Sequence, residues 1–345
     1  MPRLAPPRII LWPATLWQVL SVSVALIAVI IPTKDRSGAI WQYALGSLER
    51  SSFRDFVCIV WDASEDGLTR GVVEDRQWSF DVRHFKAPRK GLTSQRNDAV
   101  KYVLSALPSV RYIVFMDDDS KLSEDALTGV MESFGGKNVL LVNIPVKPAA
   151  PLSFCSMISL SLKRLLKMNR HGVTSFLYNY GGEDEPAGCE ADWAGGCGMG
   201  VDISVFRDMK VFFPDEFQRF GGYALGEDLA FSLYVSRKLK WRLANSLRGH
   251  LFHYASGSPR LDIQNMAASK WYNFHLLFDA IYGEEEQGWV PRLRFKLFMA
   301  AAALKLLVRA RSLDIPSVLR GISEARKACK QYQSKNDIRS LMRKE

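Results

Sequence analysis

Three consecutive carboxylates, Asp117-Asp118-Asp119, stand directly behind a largely apolar run, Arg111-Tyr-Ile-Val-Phe115. The run reads as a short buried strand, so the acids leave together at its C-terminal end, where open α/β sheets bind their ligands. Three adjoining acids repel one another until a cation or solvent relieves them. A hard divalent ion held by one or two carboxylates, its shell completed by phosphate oxygens, gives that relief. For an isolated Asp triplet the plainer alternative is a solvated acidic turn.

Other acids recur at predicted strand ends. Asp35 follows Ala25–Ile31, and Asp62 follows Phe56–Trp61. Parallel strands set their C-terminal ends on one edge, so these carboxylates are expected in one cleft. Such a cleft suits a nucleotide: carboxylates accept hydrogen bonds from base N–H and ribose hydroxyls, and a cation bridges to the phosphates. There is no Walker motif. Gly196, Gly198 and Gly200 have the wrong spacing for a dinucleotide turn. Phosphate binding through a metal is therefore favoured over a glycine loop.

The elements that must position these acids alternate. A helix is expected over Ile40–Leu48, a strand over Phe80–Phe85 and a helix from Ser94 to Leu107. Strands follow at Tyr112–Met116 and Val139–Ile144. A helix is expected at Met157–Lys167, a small-residue loop at Asp184–Met199 and a helix opened by Gly226-Glu227-Asp228. This alternation predicts an α/β domain with a mostly parallel sheet flanked by helices. Beyond about Gly257 the pattern turns helical and basic.

Composition bounds the reading. A chain of 345 residues, 48% hydrophobic and 24% charged, can bury a substantial core. Five cysteines without a C-x-x-C pair argue against a disulfide framework or zinc site and suit a reducing compartment. Residues 291–345 hold 14 Lys/Arg against 4 Asp/Glu, which accounts for the whole net charge of +10. The basic character thus belongs to a C-terminal appendage, and nucleic acid is not an expected partner.

Ile9 to Thr33 contains no charged residue. With the first strand subtracted, Ile9–Ser23 is short for a membrane span. An interfacial or packed segment is expected there, with an anchor or a cleaved signal as alternatives. Residues 291–312 have an apolar centre flanked by basic residues, a pattern that can lie in a membrane surface or pack on the domain.

Five motifs in order, Val29-Ile-Ile-Pro-Thr-Lys-Asp35, Val60-Trp-Asp-Ala-Ser-Glu-Asp-Gly67, Gly91-Leu-Thr-Ser-Gln-Arg-Asn97, Asp117-Asp-Asp119 and Gly226-Glu-Asp228, resemble the inverting family 2 glycosyltransferases of GT-A fold. The likeness spans about residues 25–255. It implies a Rossmann-like GT-A catalytic domain there, after an N-terminal extension (1–24) and before a basic helical region (256–345). It further implies a nucleotide-sugar donor, foremost a UDP-sugar, and a saccharide or lipid-linked saccharide acceptor. Polysaccharide biosynthesis is the expected setting, in the cytoplasm or peripheral on the cytoplasmic face of the membrane.

By the same resemblance Thr33, Asp35 and Asp62 hold the nucleoside, Arg96 lies near the base or diphosphate, and Asp117 and Asp118 face the nucleotide. Asp119 is the expected ligand for Mg²⁺ or Mn²⁺, with His253 as a further one. Asp228 is the expected catalytic base, paired with Glu227, for which helix capping is the alternative. Asp192, Trp193, Gly195 and Gly196 resemble an acceptor loop, where an aromatic face can stack on a sugar and glycines allow close approach. The second motif departs from the common Asp-Asp-Gly-Ser, so only Asp62 carries over from it. A nucleotidyltransferase with the same metal site and a non-catalytic carbohydrate-binding protein stand as alternatives.

Overall fold

Apolar runs buried on both faces become the middle of a seven-stranded sheet. A computed structural model of the chain describes residues 25–148, 172–175, 177, 179–180, 186–222, 224–254, 262–283, 289–309, 314–333 and 341–342. The N-terminal extension 1–24 and the helix expected at Met157–Lys167 lie outside the described residues. The strands are β1 (Ile27–Thr33), β2 (Phe56–Asp62), β3 (Asp81–Lys86), β4 (Tyr112–Met116), β5 (Ser120–Leu122) and β6 (Val139–Asn143). They continue with β7 (Val146–Pro148), β8 (Gly172–Val173), β9 (Asn179–Tyr180), β10 (Gly198–Asp202), β11 (Arg242–Asn245) and β12 (Leu251–His253).

The main sheet runs β11-β6-β10-β4-β1-β2-β3. β4, β1, β2 and β3 are mutually parallel, and β10 enters antiparallel between β4 and β6. Alternate residues of β1 and β2 feed two cores. Ile30, Val57 and Ile59 join one core with Val100 and Val103 of helix Leu92–Ala106 and with Tyr272. Val29, Ile31, Cys58 and Val60 join the other, with Ile40, Leu45 and Leu48 and with Leu127 and Val130. Burial on both faces explains why these strands read as unbroken apolar runs.

Strand β1 ends two residues later than the sequence suggests and includes Pro32. Its pairing with β4 stops at Ile30, so the missing proline N–H interrupts no bond on that side. Strand β10 corrects part of the expected loop at Asp184–Met199. Its glycines are needed for close packing: a Cβ on Gly200 would lie 3.0 Å from Val130 Cγ1, and one on Gly198 3.2 Å from Ile144 Cβ.

A small sheet, β5-β12-β7, covers the acidic edge. It places His253 opposite Ser120 in register, immediately beside the Asp triplet. Behind the main sheet, helix Ile263–Tyr282 is capped by Asp262, whose side chain accepts from Asn265 N at 2.8 Å. Helices Trp289–Arg309 and Ile315–Gln333 follow it.

Candidate active site

Strand register aligns the first two acids' supports. Thr33 at the end of β1 lies opposite Asp62 at the end of β2. Asp62 Oδ1 accepts from Ser64 N at 2.8 Å and from the Ser64 hydroxyl, and His84 Nε2 meets Oδ2 at 3.0 Å. Burial works against the Asp62 charge, but the His84 and Ser64 bonds hold its carboxyl below the usual range. Ser64 Oγ also accepts from Asp35 N at 2.7 Å. Asp35 takes a left-handed backbone (φ 54°), and its exposed carboxylate pairs with Lys34 at 3.4 Å.

The Asp triplet splits three ways. Asp118 turns inward, accepting from Thr33 Oγ1 at 2.8 Å and pairing with Arg36 Nη1 at 2.8 Å; burial pushes it up to about 7. Asp119 is wholly buried and meets Arg36 Nη2 at 2.7 Å and His253 Nε2 at 3.0 Å. Burial again opposes its charge, yet His253 and Arg36 hold it well below the usual carboxylate range. Asp117 faces His253 as well, at 3.8 Å.

Ligand atoms of Asp117, Asp119 and His253 lie within 4.8 Å of one another. A cation with ligands at about 2.1 Å sets opposite ligand atoms about 4.2 Å apart, so the cluster fits a divalent ion with little movement. The set of two carboxylates and one imidazole suits Mn²⁺ better than Mg²⁺, which favours oxygen alone. Asp117, expected to face the nucleotide, thereby also belongs to the candidate metal cluster.

A second cluster adjoins the first through Arg96. Helix Leu92–Ala106 begins with buried polar side chains because its first turns enter the site. Gln95 Nε2 donates to Thr33 O and Trp61 O, both at 2.9 Å, tying the ends of β1 and β2. Arg96 is fully buried; Nη1 donates to Glu227 Oε1 at 2.6 Å, and Nη2 to Asp117 Oδ1 at 3.2 Å and Gly196 O at 3.0 Å. Arg96, expected near base or diphosphate, thus joins Asp117, Gly196 and Glu227 in one buried network. A Cβ on Gly196 would sit 2.7 Å from both terminal guanidinium nitrogens, so the close approach requires glycine.

Gly226, at φ 84°, turns the chain into helix Glu227–Leu233 and brings the two acids into its first turn. Burial pushes Glu227 up to about 8, with the Asp228 charge adding to it. Asp228 Oδ2 accepts from Gly196 N at 3.0 Å and Oδ1 from Leu229 N at 2.7 Å. Burial still raises its carboxyl above the ordinary value. Asp228 thus stands against the Gly195-Gly196 loop and one arginine away from Asp117.

The rest of that loop divides. Asp192 accepts from Val173 N at 2.9 Å and lies 3.5 Å from Arg237, holding the backbone of its own neighbourhood. Trp193 packs half-buried on the core, and burial pushes the Cys197 thiol up, away from reactive thiolate. Arg36 and His84 are absent from the sequence reading. A basic residue after Lys-Asp and a histidine inside an alternating strand carry no pattern of their own; only the folded chain reveals their partners.

A mostly parallel seven-stranded sheet flanked by helices is the GT-A transferase architecture. Residues 28–159, which hold the first four of the five motifs, match the family model of glycosyl transferase family 2. TarS 1–349 of S. aureus, solved in complex with UDP-GlcNAc, superposes with a TM-score of 0.54 at 14% identity, covering 88% of this chain and 81% of that one. The mannosyltransferase PcManGT of Pyrobaculum calidifontis, in complex with GDP-Man and Mn²⁺, gives 0.53 at 14% identity over 92% and 84%. GalNAc-T7 with UDP, GalNAc and Mn²⁺ gives 0.52 at 11% identity over 82% and 57%. No curated protein matches the sequence. At these identities the likenesses speak for the fold, and the family match supports a glycosyltransferase.

Proposed function

We propose that this chain is a metal-dependent, inverting hexosyltransferase. It moves a sugar from a nucleotide-sugar, foremost a UDP-sugar, to a hydroxyl of a saccharide or lipid-linked saccharide during polysaccharide synthesis. The observation that carries the reading is the Asp117, Asp119 and His253 cluster joined through Arg96 to the Glu227-Asp228 turn. The complexes of TarS with UDP-GlcNAc and of PcManGT with GDP-Man and Mn²⁺ support the donor class and the metal. Free thiols at Cys58, Cys197 and Cys329 suit a cytoplasmic setting.

In this reading Thr33, Asp35, Asp62 and Asp118 face the nucleoside, with His84 and Ser64 fixing Asp62. Asp117, Asp119 and His253 hold Mn²⁺ or Mg²⁺. Bound there, the cation supplies positive charge that offsets the charge gathering on the departing diphosphate. Asp228 takes the proton of the acceptor hydroxyl as that oxygen attacks the anomeric carbon from the face opposite the diphosphate. Configuration at that carbon inverts in this single displacement. The two backbone N–H groups on Asp228 aim its carboxylate, and its raised pKa makes it a better proton acceptor. The Trp193-Gly195-Gly196 loop borders the acceptor.

Incubation with a panel of nucleotide-sugars, Mn²⁺ and saccharide acceptors tests the proposal. Released nucleoside diphosphate and a product whose anomeric coupling is opposite to the donor's are expected. Nucleotide retained on the product would replace this reading with nucleotidyl transfer, and sugar binding without any release would replace it with a carbohydrate-binding role.

A further inference from the structure

Among the described residues, helix Trp289–Arg309 packs on the body along one side. Phe295 and Met299 are buried, the Phe295 ring stacking on Phe278 at 4.1 Å. Ala303, Leu306 and Leu307 pack beside Val318 and Ile322. The opposite side presents Leu293, Leu297, Ala300, Leu304 and Val308 to solvent, at helical spacing. Leu297 and Leu304 are each 61% exposed, Val308 77%, and Trp289 at the start of the helix 75%. An outward helix face is ordinarily polar, so a continuous apolar stripe there marks a docking surface.

Charge selects the occupant. Arg294, Lys296 and Lys305 are exposed on the same helix, whose 21 residues include no Asp or Glu. A second copy docking by two-fold symmetry would set these cations against themselves. An anionic surface would complement them. Among the described residues no helix is long and apolar enough to cross a membrane, so helix Trp289–Arg309 would lie on one rather than span it.

We propose that this face of helix Trp289–Arg309 docks on an anionic lipid surface. Leu293, Leu297, Leu304 and Val308 enter the acyl boundary while Arg294, Lys296 and Lys305 sit among the headgroup phosphates. The docking is independent of the sugar chemistry, so it stands or falls apart from the enzymatic reading.

Co-sedimentation of the full chain with vesicles tests it, using phosphatidylcholine alone and phosphatidylcholine mixed with phosphatidylglycerol. The chain is expected on the mixed vesicles and not on the neutral ones, with binding that weakens as salt is raised. Leu297→Gln with Leu304→Gln should weaken binding by about tenfold or more, because two exposed leucines lose their apolar contact. Lys296→Gln with Lys305→Gln should weaken it by roughly twenty-five-fold, about fivefold per cation. Both variants change exposed side chains and should keep the parent melting temperature. Absence of binding, equal binding to both vesicles, or binding unchanged in both variants would overturn the proposal; the last result would trace contact to another part of the chain, such as residues 9–23. So would a dimer that the leucine variant dissolves in the absence of vesicle binding.

Discussion

Asp228 is the residue on which the proposed chemistry turns, and backbone N–H groups of Gly196 and Leu229 fix its oxygens. Asp228→Asn keeps the shape and removes the proton acceptor. It should lower kcat by about 10²–10⁴-fold and leave the KM for donor within about twofold, checked by steady-state kinetics. The base must be ionised to act, and burial raises its pKa. Activity should therefore climb as pH rises through a value above the ordinary Asp range and be lost below it; a kcat profile with its acid limb near pH 4 would contradict this. Glu227 gives a stability counterpart. Its carboxyl is raised from 4.5 to about 8, so between those values the folded state keeps a proton that the unfolded chain releases. Stability from this group is greatest below 4.5 and declines as pH rises to about 8. Melting temperature should fall over that window, and Glu227→Gln should flatten the slope.

At the scale of elements, glycines decide how closely the pieces approach. A Cβ on Gly321 would lie 2.3 Å from Gln264 O, where helix Ile315–Gln333 crosses helix Ile263–Tyr282. Gly321→Ala should force the helices apart and cost about 1–3 kcal/mol, measured by urea denaturation. The same argument explains which elements the sequence reveals. β2 and β4 are apolar throughout because both faces are covered, and such runs are plain to read. β10 escapes because Gly198 and Gly200 replace the apolar side chains that mark a strand. His253 was legible only by likeness, since its place beside Asp119 depends on β12 pairing with β5 across more than a hundred residues. Arg36 and His84 were not legible at all, because each acts through partners distant in sequence.

For the whole molecule, Ser64 joins Asp35 to Asp62, Thr33 and Arg36 join β1 to Asp118 and Asp119, and Arg96 joins Asp117 to Glu227, so in the proposed reading the donor, metal and base sites share neighbours. Binding at one should be felt at the others. Ligand that binds the folded state alone raises stability by about 2.7 kcal/mol at a hundred times its Kd, a shift of several degrees for a domain of this size. The most direct measurement is the melting temperature of the full chain with each nucleotide-sugar, with Mn²⁺ present or chelated. The account predicts that at least one donor stabilises the protein strongly only with Mn²⁺, and that Asp119→Asn, measured against its own ligand-free melting temperature, removes the coupled shift. Stabilisation by donor that is equal with and without Mn²⁺, or unaffected by Asp119→Asn, would contradict it.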